Sequence, residues 1–117
     1  MAKLGKGPEG EERAAAALEA KGLTILERNF RGPRGEVDLV AREGETLVFV
    51  EVKAWSVYGL DALEQGIGQK KQRRIIETAK YFLSLHREYR YMAVRFDVVF
   101  LAPQGLTHLA SAFVECI

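Results

Sequence analysis

Phe49-Val50-Glu51-Val52-Lys53 sets a carboxylate and an ammonium two residues apart at the end of an otherwise apolar run. Alternate side chains share a face on a strand, so Glu51 and Lys53 lie together and Val50 and Val52 lie opposite. Such charges are costly to bury unless they are paired or bind an ion. Asp38 stands between Val37 and Leu39 in the preceding apolar run. If a hairpin pairs Arg42 with Glu45, Asp38 faces Phe49 and shares a face with Glu51 and Lys53. Asp38 and Glu51 are then diagonal neighbours, about 7–8 Å apart between backbones. Two carboxylates at that spacing can hold one hard cation, and Mg2+ or Mn2+ suits a site of oxygen ligands and waters. Such a metal would acidify a bound water and neutralise charge on a phosphate. Lys53 would stabilise the added negative charge or orient the water. A slip of one residue in register would move Asp38 to the other face and dismantle the site. Taken alone, the Glu-Val-Lys triplet reads more simply as a solvated, ion-paired strand end; Asp38 in the preceding run is what points to a site.

These residues need elements to position them. Glu9 to Lys21 is rich in Ala and Glu, with Ala14, Ala15, Ala17 and Leu18 at helical spacing and Gly22 as the stop. Glu11 and Glu12 suit the positive end of that helix. Leu23–Phe30 reads as a strand, Gly32-Pro33-Arg34-Gly35 as a turn, and Glu36–Ala41 as a second strand. Arg42-Glu43-Gly44-Glu45 is a hairpin loop, and Leu47–Val52 is a central strand covered on both faces. From Asp61 to His86 apolar residues recur at helical spacing, and Ala93–Leu101 and Leu106–Val114 are two more strands. The order α-β-β-β-α-β-β predicts an α/β protein with a central mixed five-stranded sheet flanked by helices. Residues 1–8, with Gly5, Gly7 and Pro8, read as a flexible arm, and residues 9–117 as a single domain.

The 117 residues and 48% hydrophobic content suit one compact core. No stretch is apolar enough to span a membrane and no signal peptide is evident, so the expected place is the cytoplasm. The lone cysteine, Cys116, excludes an internal disulfide, and with His86 and His108 it forms no zinc-binding spacing. A net charge of +1 is not that of a protein that coats DNA, so any affinity for nucleic acid must come from local charge. Lys70, Lys71, Arg73 and Arg74 supply such a cluster and read equally well as a phosphate grip or a solvated helix face.

Gly10-Glu11, Arg28-Asn29-Phe30-Arg31, Gly35-Glu36-Val37-Asp38-Leu39-Val40, Phe49-Val50-Glu51-Val52-Lys53, Lys71, Arg74, Ala79 and Arg95-Phe96-Asp97 occur in that order. Together they resemble the bacterial YraN family from about Gly10 to Leu101. The resemblance implies a restriction-endonuclease-like fold of the PD-(D/E)XK superfamily, related to archaeal Holliday junction resolvases. It implies Asp38, Glu51 and Lys53 as the catalytic signature, with Glu11 as the acidic residue of the first helix. It also favours Lys71 and Arg74 as nucleic-acid contacts beside Lys70, and a homodimer. Relatives commonly carry arginine two residues after the signature lysine; here Trp55 stands there, so a phosphate contact is either lost or replaced by stacking on a base.

The expected function is therefore Mg-dependent cleavage of DNA, branched or junction DNA included. The alternative is a nucleic-acid-binding or interaction module whose active site is vestigial or partner-dependent. Arg28, Arg31 and Arg34 flank the first turn and read mainly as solubilising charge, with the lining of a nucleic-acid groove as the alternative. Glu36 reads as a group behind the metal ligands or as an arginine partner at the start of its strand. Asp97 reads as a buried partner of Arg95 or of a backbone group. His86 and His108 read as surface residues, Trp55 and Tyr58 as loop residues packed on the core or stacked on bases, and Phe113, Val114 and Ile117 as a possible pairing edge.

Overall fold

A computed structural model describes residues 8–54 and 68–113. Helix α1 (Pro8–Ala20) leads into strands β1 (Thr24–Gly32), β2 (Gly35–Glu43) and β3 (Thr46–Ala54). Helix α2 (Gln69–Leu85) and a short 3-10 turn at Arg87–Tyr89 precede strands β4 (Ala93–Ala102) and β5 (Gly105–Phe113). Helix α1 begins at Pro8, the last residue of the expected arm, where its missing N–H costs no hydrogen bond; residues 1–7 of that arm lie outside the described residues. Trp55, Tyr58 and the first part of the expected second helix lie outside the described residues. No described helix is long and apolar enough to cross a membrane.

The strands form one sheet in the order β1-β2-β3-β4-β5. Neighbours are antiparallel except β3 and β4, which run parallel and so need the crossover that contains α2. Helix α1 covers one face: Ala14, Ala15 and Leu18 pack with Leu39, Val48, Val50, Val52 and Val99. Helix α2 covers the other through Ile75, Ile76, Ala79 and Phe82, against Val40, Leu47, Phe49 and Phe96. Strand β3 is therefore buried on both sides, as its apolar run requires.

The β2–β3 hairpin differs from the expected register by two residues. Glu43 pairs with Thr46, Val40 with Phe49 and Leu39 with Val50. The turn is thus the pair Gly44-Glu45, and Gly44 takes a positive φ of 58°, which a tight hairpin turn demands. An even shift leaves every side chain on its face, so Asp38 still shares a face with Glu51 and Lys53.

Strand β1 carries a backbone switch at Asn29, whose φ is 52°. Before it, Arg28 reaches Glu12 of α1 at 2.7 Å. After it, Phe30 packs edge-on against Phe82 of α2, with ring centroids 5.1 Å apart. Residues two apart on a regular strand share a face, so the left-handed residue between them is what sends the two side chains to opposite helices. Asparagine and glycine tolerate that conformation best.

Asp97 is completely buried. Its carboxylate accepts hydrogen bonds from Arg95 at 2.9 and 3.0 Å and from the Ser111 amide at 2.9 Å. The His108 Nε2 lies 2.8 Å from it. Lys21 donates to His108 Nδ1 at 2.9 Å, which makes Nδ1 the acceptor and Nε2–H the donor to Asp97. The network clamps β5 to β4 at the irregularity between Phe96 and Val98. It also corrects the expected surface placement of the histidines. The His108 side chain is only 6% exposed, and His86 stacks on Phe82 with ring centroids 4.0 Å apart. A buried carboxylate gathers donors wherever the fold brings them, and strand pairing brings His108 to Asp97. Phe113 is likewise no free edge, because it stacks on Phe96 at 5.0 Å; Val114 and Ile117 lie outside the described residues.

Burial pushes the Asp97 carboxyl upward, but hydrogen bonds from His108, Arg95 and the Ser111 amide outweigh it, and the net shift is downward. A lowered folded-state pKa stabilises the fold above the unfolded carboxyl value of about 3.9 and loses that stabilisation as pH falls through the folded value. Asp97→Asn removes this charge and is expected to cost roughly 3–5 kcal/mol at neutral pH and to flatten the acid limb of a stability–pH curve measured by urea unfolding. Asn29→Gly is expected to be nearly neutral in the same measurement, whereas Asn29→Val loses about 1–2 kcal/mol.

Candidate active site

The β2–β3 ladder ends at the Leu39–Val50 pair. Continued one step, the same register sets Asp38 opposite Glu51. Both are almost fully buried, at 1% and 2% exposure. Asp38 Oδ2 accepts the Val52 amide at 2.8 Å, so the side chain takes over a donor just where backbone pairing stops. Glu51 Oε2 accepts from the Lys71 ammonium of α2 at 2.7 Å. This contact was not anticipated: Lys71 was expected to face nucleic acid, and it also neutralises a buried acid.

The two carboxylates open into a cavity of about 230 Å3, walled by Glu36, Lys71 and Arg74 together with Gly35 and Ile75. Helix α2 passes close to the start of β2: a Cβ on Gly35 would meet the Cβ of Arg74 at 3.4 Å, an ordinary packing distance. Ile75, Ile76, Ala79 and Phe82 anchor α2 in the core. Lys71 and Arg74, one turn apart, therefore project together over the cavity. The Thr78 hydroxyl donates to the Arg74 carbonyl at 2.7 Å and ties down the same turn. Glu36 is an arginine partner, its carboxylate 3.5 Å from Arg31, and it also walls the cavity.

The other expected residues lie apart. Lys53 is half-buried, two residues beyond Glu51 on the same face, and is not among the described residues that wall the cavity. Glu11 is half-buried in the first turn of α1, the helix on the opposite face of the sheet, and does not wall the cavity either. Lys70 lines a neighbouring cavity, and Trp55 lies outside the described residues. Among the described residues, no three His, Cys, Asp or Glu side chains converge to hold a metal ion. Asp38 and Glu51 fit the inner ligands of a hard divalent cation that takes most of its shell from water and substrate, as magnesium does.

Residues 10–101 match the model of the uncharacterised protein family UPF0102. The chain belongs to this family. The matched span is the one that carries the YraN-like motifs, so that expected membership is met. Three UPF0102 relatives align over nine tenths or more of their own length. A protein of Nitrobacter winogradskyi is 46% identical over 108 residues, covering 92% of this chain and 90% of its own. One from Persephonella marina is 41% identical, covering 92% of each chain. One from Treponema pallidum strain Nichols is 40% identical, covering 95% of this chain and 94% of its own. Asp38, Glu51, Lys71 and Arg74 all fall within the UPF0102 span.

Replacing Lys71 tests the electrostatics of the site without touching either carboxylate. Lys71→Met is expected to lower stability by about 1–3 kcal/mol, because a buried carboxylate loses a charged donor. Millimolar magnesium should restore the thermal midpoint of this variant more than it raises that of the parent protein.

Proposed function

We propose that this UPF0102 protein is a metal-dependent nuclease that hydrolyses phosphodiester bonds in DNA, with a restriction-endonuclease-like active site. One observation carries the reading: two nearly inaccessible carboxylates, Asp38 and Glu51, lie side by side beneath a cavity roofed by Lys71 and Arg74. Acids are rarely buried together without an ion or a reaction to serve. A magnesium or manganese ion held there would supply an activated water and neutralise charge on the phosphate.

The chain's own groups then divide the work. Asp38 is oriented by the Val52 amide and Glu51 by Lys71, so both ligand oxygens are positioned in advance. Lys71 and Arg74 meet a phosphate at the mouth, where guanidinium and ammonium groups grip its oxygens. Lys53 shares the face of Glu51 and stands where the strand leaves the core, which suits a group that orients water or stabilises the transition state. Glu11, on the helix across the sheet, takes no part in this reaction; Trp55 serves as a base-stacking residue. Branched or junction DNA is the proposed substrate, and a homodimer matches its two-fold symmetry.

The Glu51–Lys71 ion pair favours a second reading, in which the site awaits a partner. With the ammonium seated on Glu51 Oε2, a cation would compete with it for that oxygen. The protein would then bind nucleic acid but cleave only when a partner or the substrate itself draws Lys71 away.

Calorimetric titration with magnesium, followed by cleavage assays on branched, flapped and single-stranded DNA, separates these readings. Asp38→Asn and Glu51→Gln are each expected to abolish the metal-binding heat and to slow cleavage by at least about a hundredfold. Unchanged cleavage in both variants would sink the nuclease reading. Metal and DNA binding without any product would favour the partner-dependent one.

A further inference from the structure

A second cavity, about 410 Å3 in volume, adjoins the first and is lined by Arg34, Lys70, Arg73, Arg74 and Glu77. Arg74 belongs to both walls. Four cations from two elements thus surround one space with a single acid, and that acid, Glu77, lies 3.7 Å from Lys80. None of the four makes an ion pair with a described residue. Four other arginines do: Arg28 with Glu12, Arg31 with Glu36, Arg42 with Glu45, and Arg95 with Glu43 and Asp97, while Arg13 bonds backbone carbonyls and Arg90 the Tyr91 hydroxyl. What marks the cluster is that four cations share one space with a single acid, which Lys80 also approaches.

The helix electrostatics are also reversed here. Helix α1 follows the usual rule, with Glu9 and Glu11 in its first turn at the positive end of the dipole. Helix α2 has no acid in its first turn and carries Lys70 and Lys71 there instead. Its N-cap is Gly68, whose lack of a side chain leaves the first amides without a side-chain acceptor. Cations at that end are unfavourable by themselves, and an anion at the same place would offset both the dipole and the clustered charge.

We infer that the Arg34–Lys70–Arg73–Arg74 cavity is a binding site for a backbone phosphate of DNA, next along the strand from the phosphate held over Asp38 and Glu51. This deepens the nuclease reading and rests on it for the position of the scissile phosphate. Arg74 lies between the two sites and orders them along one strand. The geometry calls for a substrate that continues past the cleaved bond on this side, so a strand ending at the scissile phosphate would lose this contact. Arg34 gives the turn between β1 and β2 a role: it brings a guanidinium from the far side of the cavity to meet α2.

The test is the salt dependence of binding to a short fluorescein-labelled duplex DNA, followed by anisotropy without divalent ions so that no cleavage occurs. The double variant Arg34→Gln/Arg73→Gln is expected to bind roughly ten- to a hundredfold more weakly at low salt. The slope of log K against log salt should fall by about 0.9, the contribution of one phosphate. Arg28→Gln, on the opposite side of the sheet, should change neither quantity. An unchanged slope in the double variant, or no salt-dependent binding by the parent protein, would overturn the inference. Calorimetry with inorganic phosphate distinguishes a strand phosphate from a free anion. Saturable phosphate binding that needs Arg34 and Arg73, with DNA binding untouched, also overturns the strand assignment. Failure of the nuclease reading is visible separately, in metal binding and cleavage by Asp38→Asn and Glu51→Gln. The slope measurement uses neither metal nor product.

Discussion

Two acids buried side by side between adjacent strands are the constraint around which this protein is organised. Asp38 and Glu51 sit at 1% and 2% exposure, where ionised carboxylates are stable only if donors or cations meet them. The Val52 amide meets one and the Lys71 ammonium the other. The end of the β2–β3 ladder is therefore also the start of the site. Backbone pairing stops at Leu39–Val50, and side-chain chemistry takes over one residue later. The Gly44-Glu45 turn sets this distance, because it determines which residues pair all the way to the acids.

Helix α2 is the second half of the arrangement. Its buried face holds Ile75, Ile76 and Phe82 against the sheet, which leaves the first turns free to carry charge over the strand ends. Lys71 and Arg74 turn this close packing into an electrostatic roof. The cost of crowding cations at the positive end of a helix is tolerable beside buried acids. The excess in Arg34, Lys70 and Arg73 goes beyond what those acids require.

Asp97 shows what a buried acid looks like when it serves the fold. Arg95, His108 and the Ser111 amide satisfy it, its net pKa shift is downward, and it walls neither described cavity. Asp38 and Glu51 differ in opening onto a space lined by further charges. Burial alone does not separate a structural carboxylate from a candidate ligand; the open volume beside it does.

Much of this was legible in the amino-acid order. Alternation along β2 and β3 puts Asp38, Glu51 and Lys53 on one face, and that survived a two-residue error in register because the period of a strand is two. The element order, the doubly buried β3, the helical stripes and the YraN-like motifs were also readable, since they depend on local spacing and residue type. The acids' partners were not. The Lys71–Glu51 contact, the His108–Asp97 contact and the reversal of side-chain direction at Asn29 join residues far apart in the chain or hinge on one backbone torsion. Local pattern determines which face a side chain takes. Only the closeness of α2 to the sheet, and the pairing of β5 with β4, decide what that side chain meets.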